Sequence, residues 1–361
     1  MTSDLNDMPP SRLPRAEVEV SVALCTHNGA RWVTQFLESL ASQEQLPDEV
    51  VVQDDCSTDS TVEQVSAFAK RAPFEVRLKL NDQRLGSTAN FARALARSRG
   101  KLIALADQDD IWYPAKLRLL LGEFQVDPTI TMVFSNADLI GEDGRLKGSE
   151  LWDTRLVGHI LRRHSVVPEE LLARRALTTG CTMAVRRRAV EAALPFPEIL
   201  ADPSATMRHD RWLSLVSAAV GTVRAIPEPL MGFRVHPGQE TGVLVEGQLL
   251  RALSRAAIGV LRGHTHQAIR GHLVRAAQLD TAAKRAENLG DFEGAETLRQ
   301  VGDLHRFRVQ GGASFTKRLG VVARGAKLGV YDYDMMGLGA VLADIVRSVR
   351  SPHLELDPST T

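Results

Sequence analysis

The chain has 361 residues, more than a single hydrophobic core usually organises, which points to one large domain with an appendage. Its 44 Lys and Arg balance 44 Asp and Glu, which excludes a protein that lives by blanket attraction to a phosphate backbone, and no nucleic-acid partner is expected. With 44% hydrophobic and 24% charged residues wholesale disorder is excluded as well.

Residues 1–17 are polar and acidic, with Pro9, Pro10 and Pro14, and lack the basic start and apolar core of a signal peptide; they read as a flexible leader. No apolar run approaches the ~18 residues of a membrane span, so a cytoplasmic location is expected, with at most peripheral contact at a membrane surface. Cys25, Cys56 and Cys181 show neither a disulfide framework nor zinc-ligand spacing and read as small core residues.

The first element is a buried strand over residues 18–24 (VEVSVAL), which stops at Thr26-His27-Asn28-Gly29. A helix follows over 31–42, where Trp32, Val33, Phe36, Leu37 and Leu40 recur at three- and four-residue spacing. The unit then repeats. Residues 49–53 (EVVVQ) form a second strand, 54–59 (DDCSTD) its polar exit loop, and a helix begins at Ser60. A third strand is expected over 74–80, a third helix over 90–99, and a fourth strand over 102–106 (LIALA) that runs into Asp107-Gln108-Asp109-Asp110. Alternating strands and helices mean a mostly parallel α/β sheet, in which ligands sit at the carboxyl ends of the strands.

Farther on, residues 131–140 read as a strand and 169–177 as a helix. Residues 178–185 (TTGCTMAV) read as a strand with an interior glycine, 208–220 as a helix, and 221–234 as two short strands around Pro227 and Pro229. The stretch up to about residue 167 has no assigned element. After about residue 242 the texture becomes Ala-, Leu- and Arg-rich with helical periodicity. The expected organisation is therefore 18–245 as the main domain, 246–350 as a helical region and 351–361 as a frayed tail.

Asp107 and Asp109 stand two apart after an apolar strand, so in an extended segment they project to one side, and crowded carboxylates of this kind favour a hard divalent cation. Taken alone, such a triplet is most often a solvated acidic turn. Asp54 and Asp55 end a second strand of the same sheet, where a carboxylate can accept a ribose hydroxyl or a pyrimidine N–H; an Asx turn or a helix cap accounts for them equally.

The series VSVALCTHNG, VVVQDDCSTDST, RLGSTANFARAL and LIALADQDDIWYPAKL resembles the nucleotide-sugar-binding half of family 2 glycosyltransferases, and the DQDDIWYPAK wording is most similar to bacterial rhamnosyltransferase-like members. Three further segments extend the resemblance to about residue 242: TTGCTMAVRR, MRHDRWLSLVSAAVG and GFRVHPGQETG. It implies a GT-A fold with a mostly parallel central sheet flanked by helices, followed here by a helical C-terminal extension.

The resemblance also implies roles. Asp210 would be the catalytic base of a single inverting displacement. Asp109, helped by Asp107 and His236, would hold Mg²⁺ or Mn²⁺. Thr26, His27, Asn28, Asp54, Asp55, Arg84, Asn90, Asp107 and Gln108 would face the nucleotide sugar, a dTDP- or UDP-sugar. Gly180, Cys181, His209 and Trp212 would lie on the side of the acceptor, a glycan or a lipid-linked sugar. The bland readings stand beside these: His27 as a plain loop residue, Arg84 as a solvated arginine, Trp112 and Trp212 as core or rim packing.

Arg251, Arg255, Arg262, Arg270 and Arg275 form a stretch without acids. It reads as a solvated or subunit-facing helix surface, such as a homodimer would use, or as a basic face for the inner surface of an anionic membrane. Tyr331-Asp332-Tyr333-Asp334 has no assignment. Two other function classes remain open. A sugar-nucleotide nucleotidyltransferase would need a glycine-rich, lysine-bearing phosphate loop after the first strand, which Thr26-His27-Asn28-Gly29 does not supply. A non-catalytic nucleotide-sugar-binding protein would lack the base or the metal aspartate, and both Asp109 and Asp210 are present.

Overall fold

Every residue of β1 (Val20–Thr26) and β2 (Glu49–Asp54) is buried in the computed structural model, which describes residues 19–154, 158–162, 165–174, 177–202, 207–239 and 266–309. Strands buried on both faces carry unbroken apolar runs because helices cover each side, which is what VSVAL and VVV show. The helix α1 (Val33–Ala41) buries Val33, Phe36, Leu37 and Leu40, the stripe that its three- and four-residue spacing requires.

Next come α2 (Thr61–Ala69), β3 (Glu75–Leu80), α3 (Ser87–Arg97), β4 (Leu102–Asp107) and a two-residue β5 (Ile111–Trp112). Then follow α4 (Lys116–Val126), β6 (Ile130–Ile140), β7 (Leu146–Glu150), α5 (Gly158–Leu161), α6 (Glu169–Arg174), β8 (Met183–Arg186), α7 (Arg187–Ala193), α8 (His209–Val220) and β9 (Thr222–Arg234). All nine strands share one sheet in the order β3-β2-β1-β4-β8-β6-β9-β5, with β7 added to β6. The strands β3, β2, β1 and β4 run parallel, while β8 is antiparallel to both its neighbours and β6 pairs parallel with β9.

The register aligns the strand exits. Thr26 pairs with Asp54, Asp54 with Leu80, and Cys25 with Asp107, so the polar ends of β1, β2 and β4 open at one level of one edge.

Several expectations are corrected. The glycine in 178–185 is not inside a strand: Gly180–Thr182 is a tight 3₁₀ turn and the strand starts at Met183. Residues 222–234 form one strand rather than two, because β6 and β5 pair with it on opposite sides and its register on β6 skips from Ile226 to Pro229, absorbing the prolines that cannot donate to a ladder. The described part of α6 covers Glu169–Arg174, and Leu177 lies outside a helix. The helix α3 starts at Ser87, three residues before the expected point, because Gly86 adopts φ 82° and turns the chain into it. The unassigned stretch contains β7 and α5.

Within the C-terminal region the described residues form α9 (His266–Asn288) and α10 (Phe292–Val309). Ala276, Leu279, Ala283 and Ala286 are buried at alternating spacings of three and four, and α10 lies against α6. Arg270 faces Asp202 at 3.3 Å, so its charge is opposed by an acid remote in sequence. The leader, the tail, Arg251, Arg255, Arg262 and the segment 331–334 lie outside the described residues. No helix among the described residues is long and apolar enough to cross a membrane.

Candidate active site

The exits of β1, β2 and β4 open onto a cleft whose far wall is the turn before β8, the start of α8 and the end of β9. Its lining includes Thr26, His27, Asp55, Arg84, Asn90, Asp107, Gln108 and Asp109 on the first side, and Gly180, His209, Asp210 and His236 on the second. Twelve expected site residues, drawn from segments more than 200 positions apart, are therefore brought together by the fold.

Main-chain geometry builds the first wall. Asn28 adopts φ 48° and Cys56 φ 60°, so both exit loops turn through the left-handed region, one that a non-glycine residue adopts only when its surroundings hold it there. The Gln108 side-chain amide accepts the His27 N–H and donates to the His27 carbonyl, each at 2.9 Å. This pair of hydrogen bonds ties the β1 loop to the β4 loop. It requires the glycine next door, because a Cβ at Gly29 would lie 2.0 Å from Gln108 Oε1. His27 Nδ1 lies 2.7 Å from the Asp55 carbonyl.

Asp55 has its carboxylate engaged. Asn81 Nδ2 and the N–H groups of Leu85 and Gly86 donate to it at 2.8, 2.7 and 2.8 Å, which anchors the segment carrying Arg84 at the mouth of the cleft. Asn90 donates to the Gln53 carbonyl at 2.8 Å and accepts from Asn81.

Four expected residues do not line the cleft. Asp54 is fully buried and spends its carboxylate on the Thr26 hydroxyl, the Ser57 hydroxyl and the Ser57 N–H, so it shapes the loop and does not face a ligand. Asn28 accepts the Thr58 N–H at 2.8 Å and performs the same service. Trp212 is fully buried, with Nε1 donating to the Ala193 carbonyl at 3.0 Å; it is core packing rather than a platform for a sugar. Cys181 is buried behind the acidic cluster, with its sulfur near Asp107 and Asp110.

The acidic residues divide into two groups. Asp109 Oδ2 stands 2.8 Å from His236 Nε2, whereas ligand atoms of Asp107, Asp110 and Cys181 lie within 4.8 Å of one another. Burial, then repulsion from Asp109 and Asp110, holds the Asp107 carboxyl well above the usual carboxylate range. Burial and Asp109 raise Asp110 to about 7, against the pull of the Arg234 N–H, the Cys181 thiol and Lys116. Burial and these two aspartates also push the Cys181 thiol up, so it stays protonated and sits as a donor beside the carboxylates. Oxygen-rich, charge-strained donors of this kind fit a hard divalent cation, which would relieve the repulsion. Among the described residues, the side chains close enough together to share such an ion are Asp107, Asp110 and Cys181, with the Asp109–His236 pair beside them.

Several residues at the site had no expected role, Lys116, Arg234, Phe91 and Arg208 among them. Lys116 is fully buried, donates to the Cys181 carbonyl at 2.6 Å and lies 4.1 Å above the Trp112 ring, placing a positive charge behind the aspartates; burial lowers it to about 8. Arg234, 1% exposed, donates to the carbonyls of Asp109, Gly141 and Glu142 and to Gln35, while its own N–H goes to Asp110 at 3.0 Å. Phe91 stacks on His209 at 4.1 Å. Lys116 and Arg234 fall within the quoted segments, but only burial distinguishes them from solvated cations.

Residues 21–192 match the model of a family described as glycosyl transferase family 2. An uncharacterized protein of Mycobacterium tuberculosis is 28% identical over 219 residues, 60% of this chain and 59% of the relative. The succinoglycan biosynthesis protein ExoO of Rhizobium meliloti is 32% identical over 127 residues, 35% of each chain. Among solved structures, Staphylococcus aureus TarS 1-349 in complex with UDP-GlcNAc aligns over 82% of this chain and 93% of its own, with 15% identity and a TM-score of 0.48. The chain thus spans about 59% of the length of the mycobacterial relative.

Proposed function

We propose that this chain, which carries a glycosyl transferase family 2 domain over residues 21–192 within a GT-A arrangement of strands, is an inverting glycosyltransferase. It moves a sugar from a nucleoside-diphosphate donor to a hydroxyl of a glycan or lipid-linked acceptor. The carrying observation is that Asp210, at the start of α8, lines the same cleft as Asp107 and Asp109 but from the opposite wall. A single displacement needs its base on the acceptor side, away from the leaving group, and a cleft carboxylate contributed by α8 rather than by the strand exits supports that role for Asp210.

In this reading the acceptor oxygen attacks the anomeric carbon as its proton passes to the Asp210 carboxylate. The bond from that carbon to the diphosphate oxygen breaks, and the nucleoside diphosphate leaves with the electron pair. The configuration inverts, and no second carboxylate nucleophile is required. A divalent cation held by Asp107 and Asp109, with His236 orienting Asp109, would supply electrostatic stabilisation of the departing diphosphate. Arg84 and Arg208, both at the cleft, add fixed positive charge there. Thr26, His27 and Asp55 form the end where the nucleoside would lie.

The relative ExoO is named for succinoglycan biosynthesis, which supports a place in the synthesis of a bacterial surface polysaccharide. Rhamnose, carried on dTDP, is the sugar favoured by the DQDDIWYPAK wording. A lipid-linked acceptor would bring the chain to the inner membrane face, a point that sedimentation with anionic against neutral vesicles decides. The central test offers dTDP-rhamnose, UDP-GlcNAc and UDP-glucose with and without Mn²⁺, reading thermal shift and release of nucleoside diphosphate. Stabilisation and turnover that need both sugar nucleotide and cation support the proposal, and a chain that none of them stabilises overturns it.

A further inference from the structure

The C-terminal hairpin reaches toward the cleft through one side chain. Gln278, on α9, is fully buried. Its Oε1 accepts the N–H of Met207 at 3.2 Å, and its Nε2 donates to the carbonyl of Met207 at 3.1 Å and to that of Ile199 at 3.3 Å. A primary amide offers an acceptor and two donors in one plane, so it can satisfy both main-chain groups of a single residue, as a neighbouring strand would. Met207 is itself fully buried, and the next three residues, Arg208, His209 and Asp210, all line the cleft.

A second tether lies one helical stretch away. Arg285, also on α9, donates to the carbonyls of Ala192, Leu194 and Pro195 and lies over the Trp212 ring at 5.5 Å. The helix α9 thus grips the chain on both sides of the segment that delivers Asp210. The apolar contacts of Ala283 and Ala286 hold the helix in place, but they do not require a glutamine at 278; the hydrogen-bonding pattern does.

We infer that Gln278 is a positioning residue: by clamping the Met207 peptide groups it sets where Asp210 stands in the cleft, and the C-terminal hairpin thereby completes the acceptor wall. This rests on the reading of Asp210 as the base. A side chain that approaches the reacting proton must be held to a fraction of an ångström, and an error of about 1 Å from a remote change can cost on the order of a hundredfold in rate.

The test uses the full chain and four proteins: wild type, Gln278→Leu, Gln278→Glu and Asp210→Asn. Gln278→Leu removes both halves of the clamp, whereas Gln278→Glu keeps an acceptor for the Met207 N–H and sets a carboxylate against two carbonyls. Hydrolysis of UDP-GlcNAc and dTDP-rhamnose with Mn²⁺, with water standing in for the acceptor, gives kcat and KM; amide exchange of residues 207–211 is followed in parallel and needs no substrate. The expected result for both Gln278 variants is a kcat lowered about tenfold to a hundredfold at unchanged KM, and faster exchange at 207–211 while β1 and β4 stay protected. A residue that merely stabilises the hairpin would lower Tm and leave kcat per folded molecule intact, which overturns the inference, as does unchanged exchange in both variants. If Asp210→Asn retains full turnover, the base reading fails by itself, and the exchange data still report whether the clamp exists.

Discussion

His236 Nε2 stands 2.8 Å from Asp109 Oδ2, although 127 positions separate the two residues. The contact joins the loop after β4 to the loop after β9, and the His236 ring lies 4.4 Å from that of Trp32, which fixes it from a third direction. An imidazole held this way orients the carboxylate, and its Nδ1 accepts the Gly238 N–H at 3.2 Å. Replacing His236 with Ala is expected to weaken Mn²⁺ affinity by about tenfold to a hundredfold while Asp109→Ala abolishes transfer. Titrating EDTA-stripped protein with Mn²⁺ and following activity checks both.

The buried carboxyls make a pH prediction with a definite sign. Asp110 is raised to about 7, so between about 4, the ordinary value, and about 7 the folded chain holds more protons than the unfolded one. Stability from this group is present at low pH and lost as pH rises through 7. Lys116, lowered to about 8, acts oppositely: the unfolded chain holds more protons between about 8 and 10.5, so stability recovers across that window. A cation needs deprotonated carboxylates, so the rise in Tm on adding Mn²⁺ is expected to be small near pH 5 and larger near pH 8. A thermal melt series across that range, with and without Mn²⁺, reads it; a constant increment would contradict the assignment.

Asp210→Asn removes the proton acceptor and keeps the shape. Turnover is expected to fall by about 10²- to 10⁴-fold with nucleotide affinity nearly unchanged, as calorimetry with UDP or dTDP and Mn²⁺ would show. Full turnover by the folded variant would remove Asp210 from its role.

Gly180→Ala should act on the acceptor wall. An added Cβ would come within 2.7 Å of His209 Nε2, and His209 is held from its other side by Phe91. The substitution is expected to cost about 1–3 kcal/mol, the usual penalty of overpacking, and to lower turnover because His209 neighbours Asp210. Urea unfolding and kinetics on the same preparation measure both effects.

Trp212→Phe tests the corrected role of the tryptophan. With Nε1 donating to the buried Ala193 carbonyl, its loss should destabilise by about 1–3 kcal/mol and leave the preference among nucleotide sugars unaltered. A changed sugar preference at native stability would return Trp212 to the site.

The apolar runs VSVAL, VVV and LIALA determined by themselves that buried parallel strands exist, because such runs need cover on both faces. Their polar exits located the carboxyl-end cleft, and the spacing of the apolar residues determined α1. Local chemistry sufficed for these, since each depends on neighbours in the chain. Which polar residues face the cleft was decided only by the tertiary structure. Asp54 and Asp55 are adjacent and chemically identical, yet one turns inward to Thr26 and Ser57 while the other lines the cleft and anchors Leu85 and Gly86. Trp212 was indistinguishable from a sugar platform until packing buried it. Lys116, Arg234 and Gln278 act through hydrogen-bond partners 65 to 199 positions away, and burial is a property of the assembled core that no local pattern encodes. The pairing of Asp109 with His236 belongs to the same class: a hydrogen bond is short-ranged, so its two ends are chosen by whatever the fold brings within 3 Å.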